Sequence, residues 1–156
     1  MKTYKHTFKL VAVFAALAVM FQACGGNDSG PKDLSIETIM VGGSDLNGAT
    51  SPSDVATDAS ITITFNSDIK AETANSSNIV LTQDYDDANV ELNISVTGPT
   101  LTITPTTELG TGILYLFELK AGLQNTDDQP IGQTSRTFTT AGNFAPTGMI
   151  ANWTFE

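Results

Sequence analysis

Cysteine occurs once in these 156 residues, as Cys24, and histidine once, as His6. The lone cysteine excludes a disulfide within the chain, so burial and strand pairing must hold any fold together. Beyond residue 24 there is no imidazole and no second thiol. That removes Ser-His-Asp and Cys-His nucleophilic chemistry, and the usual zinc ligands with it. No cofactor and no metal site is expected. Basic residues are also scarce. Of seven, Lys2, Lys5 and Lys9 precede Cys24, leaving Lys32, Lys70, Lys120 and Arg136 against 17 acidic residues, a balance of −13. Such a surface repels phosphate backbones, so no nucleic-acid partner is expected.

Long apolar runs are absent apart from one. Leu10 to Phe21 is twelve residues without a polar side chain, behind a basic start. A membrane-spanning helix needs roughly 20, so this run reads as the core of an export signal. The run closes on Phe21-Gln22-Ala23-Cys24. A small residue followed by cysteine at the end of such a run resembles the lipobox of bacterial lipoproteins. The resemblance implies cleavage before Cys24, lipid on its sulfur, and a membrane as partner. It places the protein in the cell envelope, at the outer membrane, with the membrane face left open. Residues 1–23 are then the signal peptide and residues 24–32 a tether, rich in glycine and polar residues over Gly25 to Pro31.

Residues 33–140 carry strand patterns and no sustained helical period. Ile61-Thr62-Ile63-Thr64-Phe65, Thr100 to Thr104 and Val90 to Val96 alternate apolar and polar residues. Period two puts one set in a core and the other in water. Leu34 to Val41, Ile79 to Leu81, Ile113 to Leu119 and Thr134 to Thr139 bring the expected strands to about seven. Turn residues separate them at Gly42-Gly43, Asn47-Gly48, Gly98-Pro99, Gly110 to Gly112 and Asp127 to Pro130. The expected fold is an all-β antiparallel sandwich. On Ile113 to Leu119 the odd-numbered residues, Ile113, Tyr115, Phe117 and Leu119, form the expected core face.

Two resemblances follow. Tyr115, beyond a glycine-rich turn after Leu109, resembles the tyrosine corner of Ig-like sandwiches, in which the hydroxyl ties back to upstream backbone; a half-buried strand tyrosine fits the spacing equally well. The order of segments over 45–140 resembles the bacterial Ig-like domain family of cell-surface and S-layer-associated proteins. It runs from Ser51-Pro52 to Asp58, through Ile61 to Ile69, Asn78 to Thr82, Thr100 to Pro105, Gly112 to Tyr115 and Lys120 to Leu123, to Asp127 to Ile131 and Arg136 to Thr140. The resemblance implies a seven-strand Ig-like sandwich serving as a spacer or adhesion unit, with no catalytic residues to carry over.

Composition changes after Thr140. Residues 141–148 read as a linker, and Met149-Ile150-Ala151-Asn152-Trp153-Thr154-Phe155-Glu156 alternates again. This stretch resembles the first strand of a laminin-G or concanavalin-like jelly roll, which would bind glycans and place Trp153 as a stacking platform. Pairing with the sandwich's own edge explains it equally well. Glycans and other envelope proteins are thus the candidate partners besides the membrane. Asp84, Asp86 and Asp87 crowd one loop and carry the oxygens calcium prefers, but without the spacing of a built calcium loop. Glu91 and Glu118, the carboxylates a polysaccharide hydrolase would need, fall on outward strand positions, so that reading ranks last.

Overall fold

The computed structural model describes residues 30–144. Cys24, the export signal and residues 149–156 lie outside the described residues.

Eight strands form two antiparallel sheets. They are β1 (Ile36–Val41), β2 (Ser44–Asp45), β3 (Ile61–Phe65), β4 (Ile79–Gln83), β5 (Leu92–Thr97), β6 (Thr100–Pro105), β7 (Leu114–Leu119) and β8 (Thr134–Thr139). One sheet runs β2-β1-β3-β6-β5 and the other β4-β7-β8. A single 3₁₀ turn, Ala71–Thr73, joins β3 to β4. All seven expected strands are present. The eighth, β2, was not expected, because two residues are too few to show a period. It exists because Gly42 and Gly43, with φ of 53° and 87°, turn the chain back so that Val41 faces Ser44. Positive φ at both central residues is the tight hairpin turn whose twist suits paired strands, and glycine adopts it without a Cβ clash.

Alternation translates into layers as period two requires. Ile61, Ile63 and Phe65 of β3 are buried, and so are Leu101 and Ile103 of β6. From the other sheet come Ile79 and Leu81, then Ile113, Tyr115, Phe117 and Leu119, then Phe138. The odd-numbered face expected at Ile113 to Leu119 is the core face. Tyr115 and Phe138, opposite each other across β7 and β8, stack with ring centroids 5.6 Å apart. Threonines fill the outward positions of β3 and β6 and, beside Ser135, those of β8, where their branched side chains suit a pleated surface.

Two strands depart from simple alternation. A register shift between Ile36 and Thr38 sets three β1 residues against two of β3. This bulge leaves Ile36 half-buried while Ile39 and Val41 reach the core. The stretch from Val90 to Val96 divides. Val90 donates its N–H to Leu81 O at 2.8 Å, in the other sheet, and β5 begins only at Leu92. Leu92, Ile94 and Val96 are half-buried because β5 is an outer strand of its sheet, with protein on one flank only.

Phe65 is 2% exposed at the centre of this interior. Phe65→Asp would place a carboxylate there without a partner. Thermal unfolding followed by circular dichroism should lose its cooperative transition in this variant.

Candidate functional site

The candidate site is built at the two ends of the sandwich, where the chain enters and leaves. At the entry end a buried asparagine does most of the fastening. Asn125 is 1% exposed. Its amide donates to Lys32 O and to Ser67 Oγ, both at 3.2 Å. Its carbonyl accepts from the N–H groups of Asp127 at 3.0 Å and Gln129 at 2.8 Å. Every polar atom of this side chain is therefore used, as burial demands. Asn66 adds a second tie, donating to Asp33 O at 3.0 Å and accepting from Ser35 N at 2.9 Å. Leu34 then pairs with Ile131 as a parallel bridge. Asp128, with φ of 60°, takes the left-handed conformation that Asp tolerates in turns. Its carboxylate accepts from the Lys70 ammonium, whose pKa is raised chiefly by that hydrogen bond and charge.

At the exit end the backbone of one glycine is held on both sides by two hydroxyls. Gly110 N–H donates to Tyr115 Oη at 2.9 Å. Thr140 Oγ1 donates to Gly110 O at 2.6 Å and accepts from Ile113 N at 3.0 Å. Tyr115 is 1% exposed and Thr140 2%. The tyrosine therefore ties back to upstream backbone, as its resemblance to a corner tyrosine implied, with Gly110 as the partner. Beyond Thr140 the backbone of residues 142–144 passes so close to Gly112 that a Cβ there would lie 2.5 Å from Phe144 N. Phe144 rests edge-on against Tyr85, with centroids 5.4 Å apart.

The carboxylates do not converge. Among the described residues no group of three or more His, Cys, Asp or Glu side chains is placed to hold a metal ion. Asp84, Asp86 and Asp87 occupy the β4–β5 connection, where their roles are local. Asp86 Oδ1 accepts from Ala88 N at 3.1 Å, and Asp87 takes a φ of 55°. Glu91 is exposed, and Glu118 lies outward on β7 between Val80 and Ser135 of the flanking strands. Surface grooves line the described residues, and two of them bear on these carboxylates and on β8. One of about 320 Å³ lies between Leu46–Ser51 and Ser135–Thr137 of β8. The other, about 580 Å³, lies along the open side of β4 and includes Val80, Val90, Leu92 and Lys120. Glu91 lines the second groove and Glu118 neither.

Sequence reasoning missed Asn125, Asn66 and Thr140. Their signal was weak but present: Asn125 stands two residues before the Asp127-Asp128 turn, and Thr140 follows β8 in phase with its buried Phe138.

A sheet of β1, β3, β6 and β5 facing one of β4, β7 and β8, with a tyrosine tied back at the start of β7, is an immunoglobulin-like β-sandwich. Comparison with protein families matches residues 45–140 to the family described as "Bacterial Ig-like domain". The chain belongs to that bacterial Ig-like domain family. No curated protein matches it. Among solved structures, the N-terminal part of the bacterial S-layer protein SbsC is similar, with TM-score 0.50, 18% identity and 90% of this chain covered. Domains 1–6 of surface layer protein SbsC are similar to the same degree. The chain spans 29% and 17% of the length of those two structures. At this identity the likeness concerns the fold.

Burial holds the Tyr115 hydroxyl above its ordinary pKa of 10.0, while the Gly110 hydrogen bond works in the opposite direction. The folded state therefore keeps the proton longer than the unfolded state does. Stability from this group is present below pH 10 and lost as pH rises beyond it. Tyr115→Phe leaves Gly110 N–H buried without a partner and should cost about 1–3 kcal/mol. Denaturant melts across the alkaline range should show that cost at neutral pH and a shallower loss of stability above it.

Proposed function

We propose that the protein is a non-catalytic, lipid-anchored spacer of the cell envelope, which holds what lies beyond Phe144 away from a membrane and serves adhesion in that position. The observation that supports this most directly is the placement of the two ends. Lys32 and Leu34 are fastened beside Asn125 and Ile131, whereas the chain leaves beside Gly112 and Tyr85. Between Ile131 and Thr140 the chain travels nine residues, about 30 Å if extended. A module with its ends at opposite poles adds its length to whatever it joins.

Membership of a family of bacterial Ig-like modules supports the reading, as do the dispersed carboxylates. The lipid anchor rests on sequence: a twelve-residue apolar run ending in Ala23-Cys24. Several acyl chains at that position give firm attachment, since each buried CH₂ contributes about 0.8 kcal/mol. The acidic surface suits a projecting module by keeping neighbouring copies apart.

Mass spectrometry of the N-terminal peptide from cells should find acylated Cys24. Cys24→Ser should move the protein from the membrane fraction to the soluble fraction. An unmodified sulfur, or a variant that stays with the membrane, would contradict the anchor. Binding on a glycan array that disappears in Trp153→Ala would replace the spacer reading with a lectin-like one.

A further inference from the structure

Arg136 is the single arginine of the chain. It stands on the inner face of β8, opposite the buried Phe117 of β7, and is itself half-buried. Because β8 is an outer strand of its sheet, the side chain reaches past the sheet's edge to the loop after β2. There Nε and Nη2 donate to Asn47 Oδ1 at 3.2 and 2.8 Å, and Nη1 donates to Ser135 O at 2.8 Å. A guanidinium has five N–H donors, so Nη1 and Nη2 each keep one unused. Both acceptors are neutral, an amide and a peptide carbonyl. Among the described residues the ion pairs belong to Lys70, with Glu72 and Asp128, and Arg136 has no carboxylate partner. A crosslink alone would be stronger with Asp at position 47, since charge-assisted bonds are roughly twice as strong as neutral ones.

Grooves lie on both sides of the Asn47–Arg136 contact. One is the groove of about 320 Å³ already described. The other, about 340 Å³, lies between Leu34–Ile36 and Ile131–Thr134. Asn47 and Arg136 line both, and no aspartate or glutamate lines either, in a chain with 17 acidic residues. Asp45, close by in sequence, is turned away to accept from Asn47 N–H at 2.8 Å. The open edge of β8 adds backbone donors. Thr139 N–H donates to Pro52 O at 2.9 Å and Val55 N–H to Thr139 O at 3.1 Å, so odd-numbered residues of β8 turn their peptide groups away from β7. Ser135 and Thr137 N–H therefore face the first groove. The Ser51 and Thr137 hydroxyls bond to each other there, which leaves one O–H between them free to turn to a ligand.

We propose that this trough binds a carboxylated saccharide, with the two unused N–H groups of Arg136 taking the carboxylate of a uronic acid. The proposal rests on the adhesion part of the spacer reading and names what the projecting module holds. Two N–H groups on neighbouring nitrogens match the two oxygens of a carboxylate. Every ring of a polysaccharide also carries hydroxyls, which need neutral partners on both sides of the charge. Thr50, Ser51 and Thr137 supply them on one side, and Ser35, Gln133 and Thr134 on the other. The acidic surface elsewhere repels such a polymer, which fixes where it docks. One contact of this kind is weak. Many anchored copies along one polymer strengthen it, because each later contact is intramolecular.

Nuclear magnetic resonance titration of the mature chain carrying Cys24→Ser with a galacturonic acid trimer tests this. Saturable shifts should appear at the Arg136 Nε–H and at the Ser135 and Thr137 amides. The methyl ester of the trimer, which has no charge, should bind about tenfold or more weakly. Asn47→Asp gives Arg136 a carboxylate of its own, so it should keep the thermal melt and lose binding by a similar factor. Thr50→Asp, at an exposed position lining the same groove, adds a repelling charge without touching the crosslink and should also lose binding, should Asn47→Asp alter the melt. Trp153→Ala should bind like the parent. No shifts at these amides, equal binding of the ester, or equal binding by triglutamate would overturn the assignment, without bearing on Cys24. A missing lipid would overturn the anchor, without changing the titration.

Discussion

The contact between two apolar sheet faces is what the rest of the structure depends on. With one cysteine in the chain, no disulfide can shoulder part of the load. The interior must do it. Ile63, Leu101 and Ile103 from one sheet meet Tyr115, Phe117 and Phe138 from the other, all at or near complete burial. Each such side chain contributes about 1.5–3 kcal/mol on leaving water. Net stability of a domain is only about 5–15 kcal/mol, so no single layer of this core is dispensable.

Polar side chains then use the frame that burial creates. Asn125, Thr140 and the Tyr115 hydroxyl are buried, and each is tied to backbone at an end of the sandwich. Their work is to fix where the chain enters and where it leaves. The charged residues are arranged differently. Carboxylates are spread over loops and outward strand positions, and the Lys70 pairs with Glu72 and Asp128 are superficial.

Much of this was legible in the sequence, for definite reasons. Ile61 to Phe65 and Ile113 to Leu119 alternate strictly because each lies in a sheet with one face buried, and the sheet copies that period. The same rule misled at Val90. Val90 and Leu92 share an alternation yet pair with different sheets, because the chain crosses between layers without breaking the pattern. Ser44–Asp45 was invisible because two residues hold no period. The ties at Asn125 and Asn66 join positions far apart in the chain, and long-range hydrogen bonds leave no local signature. Asp84, Asp86 and Asp87 share the β4–β5 connection, as their closeness in the chain requires. Nothing in composition could show that Asn47, Ser51 and Val55 lie alongside β8.

The central claim is that the chain passes from one pole of the sandwich to the other. Spin labels at Lys32→Cys and Asn143→Cys, in a Cys24→Ser background, measure it directly by electron–electron dipolar spectroscopy. The account requires a single narrow distribution near or above about 30 Å, the rise of the nine residues between Ile131 and Thr140. A short distance, with both labels at one end of the fold, would contradict it.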